Sequence, residues 1–339
     1  MENELKHDEP TIDLALRPRN WTEYIGQEKI KENINILIEA AKIRKDPTID
    51  HILLYGPAGL GKTSLAYLIA KEMSTNIKIT SGPAIEKVGD LASILTNLSE
   101  GDILFIDEIH RLNKMIEEIL YPAMESSVLD IIIGKGPSAR TIQIPLPKFT
   151  LVAATTRIGF LSSPLRSRFG ATYHLDFYSD EEIEKILKQS AKLLDIVVND
   201  EGIKLLAISA RKTPRVANRL LKRIRDFAQV QLKNEDDKKI NIEIVKAALK
   251  LMDIDHRGLE TTDRQILEII IDKFNGGPVG IKSLTAISGE EGETIEELYE
   301  PFLLQIGFIT RTPSGRVVTE EGYQHLGKNF TKNNQNKLL

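Results

Sequence analysis

Residues Gly56-Pro57-Ala58-Gly59-Leu60-Gly61-Lys62-Thr63 satisfy G-x-x-x-x-G-K-[ST], and the chemistry of that pattern is the cradling of a phosphate chain. The glycines let the backbone curl until its N–H groups point inward. Lys62 can reach β- and γ-phosphates, and the Thr63 hydroxyl can hold Mg²⁺. The bare pattern arises by accident in roughly one chain of this length per hundred, so context decides. Ile52-Leu53-Leu54-Tyr55 precedes it and reads as a buried parallel strand. Leu65, Leu68 and Ile69 follow at helical spacing, so a helix N-terminus with its unpaired N–H groups faces the same anion.

A second apolar run, Ile103-Leu104-Phe105-Ile106, ends in Asp107-Glu108. A carboxylate pair at a strand end is the expected other half of a nucleotide site. Asp107 would act on Mg²⁺ through its water shell, and Glu108 would orient or deprotonate the attacking water. His110 reads as a helix-start residue. A third run, Leu151-Val152-Ala153-Ala154, ends in Thr155-Thr156-Arg157, and a polar residue there would sit between the phosphate loop and Asp107. Ser163–Gly170 carries Arg166 and Arg168, which serve either solvation or as an arginine finger in a neighbouring subunit's site.

The elements that must position these groups follow from periodicity and punctuation. Residues up to Ala15 form a lead-in. Pro18 stiffens Leu16-Arg17, which is either linker packing or the edge of an adenine pocket. Ile30, Ile34, Leu37, Ile38 and Ala41 place one face of a helix ending near Arg44. Ile77–Thr80 alternates as a strand, and a helix spans about Ile85–Leu98. Leu129–Ile133 and Thr141–Ile144 flank Gly134–Ser138 as a hairpin, with Ile131, Ile133, Ile142 and Ile144 on one face. That face either packs on its own domain or docks a partner.

From about Tyr178 the pattern is helical. N-cap signatures stand at Ser179, Asn199 and Thr213, the last followed by Pro214. Arg215 then falls in a first turn, where the helix dipole disfavours a cation unless an anion is near. Polar Asp253–Thr262 reads as a linker. Three helices, around Asp263–Phe274, Ile281–Ala286 and Glu293–Leu304, precede a hairpin closed at Thr312-Pro313-Ser314-Gly315, which is the winged-helix order. Its third helix carries Glu293, Glu296, Glu297 and Glu300, which would repel phosphates. DNA contact therefore falls to Arg311 and Arg316 of the hairpin, touching backbone rather than bases.

The 339 residues, 41% hydrophobic and 28% charged, describe an ordinary globular chain of two or three domains. No apolar run is long enough for a membrane span. The absence of cysteine excludes disulfides and thiolate metal sites and fits a reducing, cytoplasmic setting. A net charge of −4 argues that any nucleic-acid contact is local.

Taken in order, Leu16-Arg17-Pro18, Gly56–Thr63, Ile106–His110, Ala154–Arg157, Ser163–Gly170, Thr213–Arg219 and Arg311–Arg316 resemble the AAA+ ATPases, and within them the Holliday junction branch migration ATPases. The resemblance runs from about Leu16 to Gly327. It implies an α/β P-loop ATPase domain over residues 1–178, a small helical lid over 179–254, a winged-helix head over 255–332 and a tail over 333–339. It further implies a homohexameric ring on duplex DNA, driven by ATP with Mg²⁺, with RuvA holding the junction and RuvC resolving it. Leu16 and Arg17 would line the adenine pocket. Gly59, Gly61, Lys62, Thr63 and Ser64 would bind phosphates, and Thr63 and Asp107 would serve the metal. Thr156 would be the first sensor, with Thr155 the alternative. Arg168 would be the finger, Tyr178 and Arg215 would complete the site from the lid, and the 129–144 hairpin would dock RuvA. A nucleotide-contacting segment is implied at Glu125, Ser126 and Ser127, where Ser126-Ser127 replaces an acidic-aromatic run. Rival readings are a clamp-loader-like switch, disfavoured by the winged helix, and an ATP-gated scaffold, disfavoured by Glu108.

Overall fold

A strand with apolar side chains on both faces must be covered on both, and three segments meet that condition. Ile52–Tyr55 (β1), Ile103–Asp107 (β3) and Thr150–Thr155 (β6) are buried almost throughout. They are the interior of a five-stranded parallel sheet ordered β2-β3-β6-β1-β7, with Ile77–Ser81 (β2) and Ala171–His174 (β7) as the half-exposed edges. Tyr55 pairs with Thr155, and Ile106 with Ala153, so the ends of β1, β6 and β3 line up. The computed structural model describes residues 15–133, 140–232 and 239–330. The N-terminal lead-in, the turn at Gly134–Ser138 and the tail from Thr331 fall largely or wholly outside these.

The chain divides into two units, Met1–Phe177 and Tyr178–Leu339. In the first, the helix Glu28–Arg44 buries Ile30, Ile34, Ile38 and Ala41. The helix expected over Ile85–Leu98 is shorter, Val88–Thr96. Gln27 ties the two ends of this unit: its side-chain amide donates to the Asp176 carbonyl (2.7 Å) and accepts from the Asp176 N–H (3.3 Å). The hairpin is Val128–Ile133 (β4) and Arg140–Pro145 (β5), with Ile131 opposite Ile142 and Leu129 opposite Ile144. Ile131 and Ile144 pack against the core around Leu120, Leu129 and Leu151, while Ile142 is 47% exposed. The face is therefore split, with its inner end used within the unit and Ile142 left outside. The Ile133 side chain lies outside the described residues.

In the second unit, helices Asp180–Leu193, Asp200–Ser209, Pro214–Gln231 and Ile242–Leu251 form the lid. Ser179 and Glu182 make a reciprocal capping box, and Asn199 accepts from the Gly202 N–H. Thr213 does not cap through its side chain: its hydroxyl turns to the Ala210 carbonyl, and Pro214 at the first helical position removes one N–H that would need a partner. The polar stretch expected as a linker is an ordered joint. Asp255 accepts from the Arg257 and Leu259 N–H groups, and Leu259 is fully buried. The winged helix has helices Thr261–Phe274 and Ile281–Ser288, then a broken third helix, and the hairpin Ile309–Thr312 (β8) with Gly315–Val318 (β9). The break has a covalent cause. Pro301 has no N–H to donate back into the helix, and the backbone widens into a π turn over Ile295–Tyr299 before resuming at Glu300–Gln305.

Gly56, where β1 leaves the sheet, has φ 138°, and a Cβ there would lie 2.5 Å from the Leu175 carbonyl oxygen. Gly56→Ala should lower stability by on the order of 1–3 kcal/mol, read as a fall in the urea midpoint. An unchanged midpoint would show that this crossing tolerates a side chain.

Candidate active site and nucleic-acid face

The phosphate loop takes its shape from Gly56, Gly59 and Gly61, all at positive φ, and delivers the helix Lys62–Met73 directly behind it. Lys62 is buried, and its ammonium donates to the Gly56 and Pro57 carbonyls at 2.7 and 2.8 Å. Thr63 and Ser64 follow in the first turn. Leu16 is buried, and the Arg17 guanidinium stacks 4.9 Å over the ring of Tyr67 on that same helix. Among the described residues no cluster of three His, Asp or Glu could hold a metal by itself. The donor set here, one hydroxyl (Thr63) and one carboxylate (Asp107), suits a Mg²⁺ that takes its remaining ligands from phosphate and water.

Glu108 sits at φ 46°, ψ 49°, an uncommon left-handed conformation for a non-glycine residue and a place where backbone strain is stored. Its Oε2 accepts from both the Thr156 N–H and the Thr156 hydroxyl, each at 3.1 Å. His110 Nδ1 lies 3.2 Å from that oxygen and 2.9 Å from the Thr155 hydroxyl. The carboxylate selects the tautomer with the proton on Nδ1. Burial pushes the Glu108 carboxyl up, but the His110 and Thr156 hydrogen bonds outweigh it and hold the pKa at about 2. His110 therefore has more than a helix-start role: it lies on a 3₁₀ turn and orients the carboxylate. Thr155 is fully buried, bonded to His110 and to the Arg157 N–H, which leaves Thr156 as the more accessible of the two threonines.

Arg168 and the Glu125–Ser127 segment lie elsewhere. Arg168 precedes β7, whose Ala171 pairs with Ile52 at the start of β1, whereas the phosphate loop leaves the far end of β1. His51, just before β1, accepts from the Leu151 N–H and bonds the Met124 carbonyl, fixing the end of helix Lys114–Ser126 at the same edge. Arg168 Nε pairs with Glu125 Oε1 at 3.0 Å, and its guanidinium lies 4.3 Å over the Tyr121 ring. Glu125, Ser126 and Ser127 thus group with Arg168 and not with Lys62 of their own chain.

In the second unit Tyr178 is buried, and its N–H donates to the Lys212 carbonyl. Arg215 is exposed in the first turn of Pro214–Gln231, with no acidic partner among the described residues. The hairpin cations differ. Arg316 is buried against Glu300, donating to its Oε2 at 2.7 Å and to Glu296 at 2.9 Å, so its charge is spent inside the domain. Arg311 pairs with Glu296 and Glu300 too, but its side chain is 57% exposed. Two of the four glutamates expected to repel phosphate are accordingly neutralised by the wing.

A family profile described as the Holliday junction DNA helicase RuvB P-loop domain matches residues 16–175. The RuvB AAA lid domain matches 178–255, and the RuvB C-terminal winged helix domain matches 256–327. The chain belongs to the RuvB family. The solved Thermotoga maritima RuvB, described as a Holliday junction branch migration motor, is 48% identical with a TM-score of 0.84, over 94% of this chain and all of that one. A single-substitution variant of the Thermotoga protein matches at 0.85 and 48%, over 93% of this chain and 99% of that one. As a RuvB-family AAA+ ATPase, the chain binds nucleotide at the P-loop.

Because the folded pKa of Glu108 is depressed from the usual 4.5, its contribution to stability is present above the ordinary carboxylate range and lost only as pH falls toward about 2. Between pH 8 and 5 it stays ionised. Thr156→Val removes one donor, raises that pKa, and should move the acid limb of the kcat/KM profile for ATP hydrolysis upward. An unmoved limb removes Thr156 as the determinant. In the wing, Arg316→Ala leaves buried Glu300 with only the half-exposed Arg311 as partner and should destabilise the domain by on the order of 3 kcal/mol. Arg311→Ala should leave stability near wild type while flattening the salt dependence of DNA affinity by about one unit.

Proposed function

We infer that this chain is an ATP-driven motor of Holliday junction branch migration. The observation that carries the reading is the strand-end constellation of Lys62, Asp107, Glu108 and Thr156, set in a chain that matches all three RuvB domains. Phosphoryl transfer needs positioning and charge compensation rather than covalent catalysis. Lys62 and the loop N–H groups bind the β- and γ-phosphates. Glu108, held ionised and aimed by Thr156 and His110, receives the proton of the attacking water. Thr63, and Asp107 through its water shell, would hold Mg²⁺, which would supply neutralisation of charge on the transferring phosphoryl group. Leu16 and Arg17 border the base.

Arg168 sits roughly 10 Å from its own phosphate loop along the strand direction, at the opposite end of β1. That position suits a finger offered to a neighbouring copy, with Glu125 and Tyr121 holding it in readiness. The reading carries with it a homohexameric ring, closure of Tyr178 and Arg215 onto the nucleotide, and a cytoplasmic setting. RuvA would dock at the exposed Ile142 end of the β4–β5 hairpin, RuvC would act as resolvase, and duplex DNA would be gripped through Arg311. The winged helix stands against a clamp-loader-like switch.

Arg168→Ala should cut ATP turnover by about 10³–10⁵ while nucleotide binding persists. Mixing it with Lys62→Ala subunits, which keep the finger but lack the phosphate lysine, should restore part of the turnover. No recovery in the mixture would mean that Arg168 does not act in trans.

A further inference from the structure

The lid and the winged helix meet at a joint that the nucleotide and DNA sites do not use. Its centre is Arg211, in the turn between helices Asp200–Ser209 and Pro214–Gln231, where Arg211 and Lys212 are both left-handed. The Arg211 guanidinium is buried and donates to both Asp263 oxygens, at 2.7 and 3.1 Å, and to the Leu298 carbonyl at 3.0 Å. Its Cζ lies 4.5 Å from the centre of the Phe302 ring. Asp263 is fully buried and also accepts the Glu260 N–H, so it caps the first helix of the winged domain. One lid side chain thus holds the first helix, the π turn and the third helix of the head together.

A bidentate fork with a third donation to a carbonyl has a defined geometry, whereas an apolar contact can slide. The rest of the joint is equally close. A Cβ on Gly258 would lie 2.7 Å from the Ser209 carbonyl oxygen, and Arg264 spans from the Leu259 carbonyl to Asp253. Arg211 lies four residues ahead of Arg215, on the turn that opens the Arg215 helix.

We propose that Arg211 and Asp263 pin the lid and the winged helix into one stiff arm, so that displacement of the Arg215 helix is delivered whole to the DNA-contacting hairpin. Arg211 is then a positioning residue for translocation, not for hydrolysis. The proposal rests on the motor reading above.

The test uses the full chain on a synthetic four-way junction with RuvA, measuring base pairs migrated per ATP consumed. Asp263→Asn should keep ATP turnover within about twofold while migration per ATP falls about tenfold, a typical coupling magnitude. The chain has no cysteine. Arg219→Cys with Glu260→Cys, replacing an exposed ion pair of 2.9 Å across the same joint, therefore gives a clean site for a short bis-maleimide tether. The tether should restore migration to Asp263→Asn and leave otherwise wild-type protein unaffected. The pin is overturned if Asp263→Asn migrates normally per ATP, if turnover and migration fall in parallel without rescue, or if tethering the wild-type joint stops migration. Should Asp263→Asn not fold, the tethered wild-type joint decides alone. Untethered wild type that hydrolyses ATP but never migrates a junction would fail the motor reading instead.

Discussion

The insertion of β6 between β1 and β3 governs the nucleotide unit. In a parallel sheet the C-terminal ends of neighbouring strands open on one side, and the order β2-β3-β6-β1-β7 leaves the phosphate loop and the Asp107-Glu108 pair two strand spacings apart. That gap is what Thr155-Thr156 occupies. With β1 and β3 adjacent, the carboxylates would stand one strand spacing, about 4.8 Å, from the loop's strand and leave no room for the threonines. The same constraint sends Arg168, which precedes β7, to the opposite end of the sheet. A single arrangement of strands therefore puts the phosphate loop and the Arg168–Glu125 pair at opposite ends of the sheet.

The phosphate loop and the acidic strand end were legible because each is a run of types at fixed spacing within about ten residues, and the winged-helix order because its elements follow one another in sequence. What was not legible was held by contacts between distant segments. His110 reads as a neutral helix starter until β6 brings the Thr155 hydroxyl and β3 the Glu108 carboxylate to the same imidazole nitrogen. Arg311 and Arg316 are equivalent cations on paper. They are cross-strand partners on one face of the hairpin, and a distant segment separates them: Val279 bridges Arg316 on the other side of β9, while Arg311 stands on the outer strand and stays exposed. Asp253–Thr262 misled through composition: its polar residues are turn and cap groups, and the one apolar residue that seats it, Leu259, is invisible as a pattern. The third helix, expected unbroken over about Glu293–Leu304, is interrupted by a π turn ahead of Pro301, a residue the periodicity reading passed over.

Charge is handled in the winged helix as shape rather than as field. Glu296 and Glu300 look hostile to a polyanion, yet each is matched by a wing arginine, and the pairs hold the hairpin onto the helix behind it. A buried ion pair of this kind adds little net stability compared with apolar packing, but breaking one side of it is costly. The hairpin is therefore held at a fixed angle, with Arg311 at its outer face.

Gln27 gives the nucleotide unit a further property. By clasping both backbone groups of Asp176 it joins the segment that enters the unit to the one that leaves it. Entrance and exit become one mechanical part. Leu16, which is buried, and Arg17, which stacks on Tyr67 of the helix behind the phosphate loop, lie upstream of that clasp. A displacement of the outgoing chain is thus shared by the incoming one through two hydrogen bonds, without passing through the sheet at all.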